Sequence, residues 1–157
     1  MVSNLDILET LVGFPSVSAQ SNLPIIDYIQ DFLSKRGFLV KRIADTTGQK
    51  AGLFASIGPG GPGGVMLSGH TDVVPVEGQA WSSDPFTLRH IDGRAYGRGT
   101  ADMKGNLACM MALADRAKTR ALTAPLKLAF SFDEEVGCLG IPQMLPVLDT
   151  VFGTPAM

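Results

Sequence analysis

Three short stretches hold residues that could do chemistry together: "SGHTDVVPV" (68–76), "GRGTADMKG" (97–105) and "DEEVGCLG" (133–140). In the first, His70 and Asp72 are two residues apart, so on a strand they share one face. His70 can offer one ring nitrogen to a metal, while Asp72 accepts the proton on the other and fixes the tautomer. In the second, Asp102 lies in a glycine-bounded loop that permits close approach, where one carboxylate could bridge two ions. In the third, Glu134 and Glu135 are adjacent and diverge, so one can ligate while the other remains free as a general base. Acid gathered in this way repels itself without a cation. Imidazole and carboxylate oxygens are suitable zinc ligands.

Taken singly, each stretch has a plainer explanation. A His-x-Asp pair is common by chance, and a hydrogen-bonded histidine accounts for most of them. Paired glutamates often form a solvated face or the acidic first turn of a helix. Asp133 is placed to cap a following helix, and His90 reads as an exposed strand histidine without acidic company. The argument for a metal rests on the coincidence of three sites at strand ends, where open α/β sheets gather their functional groups.

The elements that must position these groups can be read from periodicity. "SNLDILETLVGFPSVS" shows a short helix with a cap at Ser3 or Asn4. "NLPIIDYIQDFLSKRGF" shows a clearer one, with Ile25, Ile29, Phe32 and Leu33 on one face and Gly37 as its C-cap. Two strands follow, "FLVKRI" and "GLFASIG", then the glycine-rich turn "GPGGPGG" (58–64) and the strand "VMLSG". "FTLRHIDGRAYGRG" reads as a hairpin turning at Asp92-Gly93. "NLACMMALADRAKTR" is a helix whose Leu107, Met110, Met111, Ala114 and Ala117 form a packing stripe. "LKLAFSF" (126–132) is apolar enough to be buried on both faces of a sheet, and a helix running to about Leu148 is expected after "DEEVGCLG". The order predicts one α/β domain over residues 1–157, a mostly parallel central sheet with helices on both faces.

Composition removes several functions. The 157 residues are 45% hydrophobic and 18% charged, with a net charge of −2, and Lys41-Arg42 is the longest basic feature, so no nucleic-acid footprint exists. No apolar run approaches the roughly 18 residues of a membrane span, and the N-terminus lacks a signal-peptide pattern. Cys109 and Cys138 have no redox or metal spacing and read as reduced, packed thiols. Gly97-x-Gly99 begins like a dinucleotide fingerprint, but Asp102 at the third glycine position would repel a pyrophosphate. Lys104 precedes Gly105 with no Ser/Thr after it, so there is no P-loop. No G-x-S-x-G elbow presents a serine nucleophile.

In that order the three stretches resemble the di-zinc aminoacylase and acetylornithine deacetylase family, whose relatives include succinyl-diaminopimelate desuccinylase and glutamate-releasing zinc carboxypeptidases. The resemblance runs from the first helix through "FSFDEEVGCLG", and "GQAWSSDPF" adds to it. It implies a zinc-peptidase-like catalytic domain and a metal-dependent amidohydrolase with two Zn²⁺, Co²⁺ being an alternative. His70 would ligate one zinc with Asp72 orienting it, Asp102 would bridge both, Glu135 would ligate the second, and Glu134 would be the general base and acid. It also implies a cis Asp102–Met103 peptide bond. The implied reaction is deacetylation of N2-acetylornithine in arginine biosynthesis, in the cytoplasm, with no nucleic-acid or membrane partner. Other N-acyl amino acids or peptides stay open as substrates, as does a shortened, non-catalytic member with weak metal binding. The family adds two further ligands and a lid domain that makes a homodimer. Relative to that pattern, residues 1–157 match the N-terminal part of the catalytic domain, without the lid. "VFGTPAM" (151–157) carries Thr154 where the family's Gly-Glu-Pro-Thr motif has a glutamate.

Overall fold

The computed structural model describes residues 2–18 and 20–152. Helix α1 spans Asn4–Val12, and its N-cap Ser3 accepts the Leu5 N–H. Helix α2 spans Leu23–Ser34. It closes as the sequence suggests: the Gly37 N–H donates to Ser34 O and the Phe38 N–H to Leu33 O. This Schellman pattern requires the left-handed conformation that Gly37 adopts at φ +80°. Strands β1 (Leu39–Ala44), β2 (Ala51–Ile57) and β3 (Val65–His70) follow, then the small hairpin β4 (Arg89–Ile91) and β5 (Arg94–Tyr96). Asp92 and Gly93 both have positive φ, 51° and 74°, as a type I′ turn demands. Helix α3 (Gly105–Ala117), strand β6 (Leu126–Ser131) and helix α4 (Ile141–Phe152) complete the described chain.

The main sheet has the order β1-β2-β6-β3. The expected α/β architecture holds, with a central sheet covered on both faces. The strand directions differ from the expectation of a mostly parallel sheet. Strand β1 is antiparallel to β2, and β2 to β6; β3 alone runs parallel to β6, with His70 opposite Ser131. The reason lies in the connections. The short links 45–50 and 58–64 reverse the chain, while the helix-bearing link between β3 and β6 supplies a parallel crossover. Apolar runs report burial, not direction.

Alternation along the strands separates two cores. Leu53 and Ala55 of β2, with Leu128 and Phe130 of β6, face α1, α2 and α3, meeting Leu11, Ile25, Ile29, Leu33, Leu107 and Met111. Phe54 and Ala129 point the other way, to Ile43, Phe132 and Met144 of α4. The whole α3 stripe read from the sequence is buried. No helix among the described residues is long and apolar enough to cross a membrane.

Candidate metal centre

The parallel pairing of β3 with β6 is what builds the site. Their carboxyl ends lie at the same edge, locked by the Thr71 N–H and hydroxyl, both donating to Ser131 O at 2.9 Å. His70 therefore ends one strand beside the segment Asp133–Glu135 that leaves the other. The third component comes from the loop Thr100–Lys104 leading into α3, where the Asp102–Met103 peptide bond is cis.

These placements bring all the sequence-derived candidates to one edge. Asp102 Oδ1 lies 3.0 Å from His70 Nε2, and Glu134 Oε2 lies 3.9 Å from it. Ligand atoms of His70, Glu134 and Glu135 all fall within 4.8 Å of one another. His70 and Asp72 form the floor, with side chains 6% and 2% exposed, whereas Asp102 and Glu134 are open at 73% and 44%. A cleft of about 440 Å³ adjoins the group, walled by Val74, Trp81, Tyr96 and Arg98 and reaching Asp102 and Glu135.

The orienting contact on His70 differs in detail from the expectation. Its Nδ1 lies 2.9 Å from the main-chain oxygen of Asp72 and 3.4 Å from the carboxylate. With Nδ1 kept as donor to Asp72 O, loss of the Nε2 proton that Asp102 favours leaves the lone pair a metal ligand needs. Besides facing His70, the Asp72 carboxylate accepts the Ser18 hydroxyl at 2.7 Å and the N–H groups of Glu134 and Glu135 at 3.2 and 3.3 Å.

The charges are coupled. Burial raises the Asp72 carboxyl, but His70, Ser18 and the two N–H groups outweigh it and hold Asp72 at about 2. Burial likewise lowers His70, yet Asp72 and Asp102 lift it to about 9. Glu135 is raised, first by burial and then by the negative charge of Asp102. Such a set wants a cation among its carboxylates. A divalent ion at Nε2 meets that need while Nδ1–H still donates to Asp72, so the donor set fits a metal of the zinc type.

Two expectations fail here. Asp133 caps no helix: it has φ 56°, residues 133–140 form turns before α4 begins, and its carboxylate pairs with Lys50 Nζ at 2.5 Å. The cysteines are exposed, not packed. Cys109 falls on the flank of α3 away from the stripe, and Cys138 sits in the turn after Glu135. His90 is exposed as expected, and Thr154 lies outside the described residues.

Ser18 and Lys50 were not legible as neighbours of the site, nor Lys104 as a buried cation beside the Asp102 loop. Lys104 is fully buried with Nζ on Phe14 O at 2.6 Å, and burial lowers its ammonium to about 7. Ser18 and Lys50 reach the site across 54 and 83 residues of chain. No local spacing encodes such contacts.

Comparison with known proteins bears on the family and the fold. The model of peptidase family M20/M25/M40 matches residues 66–155. Acetylornithine deacetylase of Shigella sonnei (strain Ss046) is 38% identical over 143 residues, which are 87% of this chain and 37% of that protein. Human carnosine dipeptidase 1 superposes with a TM-score of 0.79 at 23% identity, over 93% of this chain and 35% of that one. An M20 family metallo-carboxypeptidase from Sulfolobus solfataricus gives 0.79 at 23%, over 96% and 35%. The two structural likenesses speak to the fold alone. This chain spans little more than a third of the length of these relatives.

Proposed function

Because the chain belongs to peptidase family M20/M25/M40, we propose that its clustered side chains are the metal-holding and proton-transferring part of an amidohydrolase site for N-acyl amino acids, with N2-acetylornithine as substrate. The observation that carries this reading is the convergence of His70 Nε2 with the carboxylates of Asp102, Glu134 and Glu135 beside an open cleft. The choice of substrate is supported by the 38%-identical deacetylase. A role in arginine biosynthesis in the cytoplasm goes with that substrate.

In this reading His70, Asp102 and Glu135 would hold Zn²⁺, with Co²⁺ able to replace it, and Asp102 would serve as the shared ligand. The metal, when bound, polarises the acyl carbonyl and acidifies a nearby water. Glu134, half-exposed and within 3.9 Å of His70 Nε2, takes the proton from the attacking water. It then delivers that proton to the leaving amine nitrogen as the C–N bond breaks, giving acetate and ornithine. Asp72 keeps His70 in the ligating tautomer throughout.

Three ligand residues would be few for two ions, since a catalytic zinc normally has about three protein ligands of its own. The 157 residues alone are therefore expected to bind metal weakly and to turn over slowly. The test is a Co²⁺ titration followed by visible absorption, with His70→Ala and Glu135→Ala alongside, and an acetate-release assay on N-acetylornithine with added Zn²⁺. Saturable Co²⁺ binding lost in both variants is the expected result. Binding that survives both substitutions overturns the site. Turnover on the order of 10 s⁻¹, abolished by Glu134→Ala, would overturn the expectation of an incomplete donor set.

A further inference from the structure

The backbone carrying Glu134 and Glu135 is not held by a regular element. It lies between the end of β6 and the start of α4, in a turn with positive φ at Asp133 and Cys138. Within the turn the Gly137 and Cys138 N–H groups donate to Glu134 O and the Leu139 N–H to Asp133 O; none of these bonds ties the segment to the rest of the site. The N–H groups of Glu134 and Glu135 both end on Asp72, the first on Oδ1 and the second on Oδ2. At 3.2 and 3.3 Å these bonds are longer than the usual 2.9–3.0 Å for N–H···O, so they do not by themselves set the Asp72 rotamer. The shortest contact on that carboxylate is the Ser18 hydroxyl at 2.7 Å, the length of a good O–H···O⁻ bond, whereas the two N–H contacts on the same carboxylate are stretched.

Ser18 is built into this place. It is buried, at 3% exposure. Its N–H donates to Val73 O, and the Val73 N–H donates to Ser16 O, so the segment 16–18 runs as a short parallel bridge beside the chain leaving β3. Lys50 Nζ grips the Ser18 carbonyl and also the carboxylate of Asp133. The same few residues thus hold Asp72 from one side and the first residue of the acidic turn from the other.

We propose that Ser18 is a positioning residue of this site: its hydroxyl aims the Asp72 carboxylate, which in turn clamps the backbone of Glu134 and Glu135 so that their side chains converge on His70. The chain of contacts has no step through a bound ion, so the clamp exists in the metal-free chain. Its consequence for metal affinity rests on the function proposed above.

The test uses the 157-residue chain and two readouts. Amide hydrogen exchange by NMR on the metal-free chain reads the clamp directly. Ser18→Ala should speed exchange of the Glu134 and Glu135 N–H groups about tenfold or more, Ser18→Thr should restore protection, and amides of α3 should be unchanged. Unchanged exchange at Glu134 and Glu135, or an equal rise throughout α3, overturns the proposal. If Ser18→Ala does not fold, Ser18→Cys keeps the volume with a weaker donor, and the same comparison with Ser18→Thr decides. The second readout is Co²⁺ affinity, expected to fall about 10–100-fold in Ser18→Ala and to recover in Ser18→Thr. An unchanged affinity alongside faster exchange would refute the link to the metal. If the wild-type chain binds no Co²⁺, the metal reading fails, while the exchange result still decides the clamp.

Discussion

Replacing Asp115 by Asn should cost about 3 kcal/mol of folding stability, and the reason lies in what its carboxylate joins. Asp115 is 2% exposed in α3 and accepts from Arg36 Nε and Lys118 Nζ, both at 2.8 Å, and from the Val2 N–H at 3.1 Å. One carboxylate therefore ties the end of α2 and the approach to α1 onto the helix that follows the Asp102 loop. Asparagine keeps the shape but removes the charge and turns an amide towards cations. The Arg36 guanidinium, only 14% exposed, would keep Phe32 O at 2.8 Å and the Phe32 ring but lose its counter-charge. Breaking a buried pair by removing one partner typically costs about 3–5 kcal/mol, and the partial exposure of Lys118 argues for the lower end. At this chain length that corresponds to a fall in Tm of roughly 6–12 °C. The Lys118 ammonium, with the Val2 N–H and Arg36, outweighs burial and holds the Asp115 carboxyl well below the ordinary carboxylate range. Because the folded value is depressed, its contribution is complete above the unfolded value of about 3.9 and is lost as pH falls through the folded value. The assay is urea unfolding of both proteins at pH 7 and pH 3, with Asp31→Asn as control, since the Asp31–Lys35 pair is exposed and should contribute at most about 0.5 kcal/mol. A Asp115→Asn loss no larger than that of the control, or a gap that widens towards pH 3, would refute the reasoning.

Three further outcomes are expected. Leu53→Ala, at a fully buried β2 position between the sheet and the helices, should lose about 2–5 kcal/mol in the same urea assay. Gly69→Ala places a methyl group 2.7 Å from Leu107 Cδ2 and 3.0 Å from Met103 Cε; the overpacking should cost about 1–3 kcal/mol and, by displacing the neighbour of Asp102, weaken Co²⁺ binding as well. Cys109 and Cys138 should both react with Ellman's reagent in the native state, where packed thiols would require denaturant.

The residues of the candidate site were legible as candidates because their types and order are local information. A histidine and an aspartate two apart on a strand, an aspartate between glycines and two adjacent glutamates each announce a chemical capacity without reference to the rest of the chain. The same holds for α2, whose apolar period and Gly37 stop are written in consecutive residues, and for the Asp92-Gly93 turn. What the sequence could not supply was direction and long-range contact. Apolar runs in β2 and β6 looked alike whether paired parallel or antiparallel, so the mixed sheet emerged only once β6 was seen to lie between β2 and β3. Asp133 looked like a cap because an acid before a helix usually is one; eight residues of turn and the Lys50 ammonium decided otherwise. The cysteines looked packed because thiols usually are, and only their place on the folded surface put them outside. Ser18 is separated from Asp72 by 54 residues, and its hydroxyl meets that carboxylate only because the segment after α1 lies against the chain leaving β3. Sequence determined which groups can ligate and transfer protons. The fold decided which partners each finds, because a hydrogen bond depends on distance in space and not on separation along the chain.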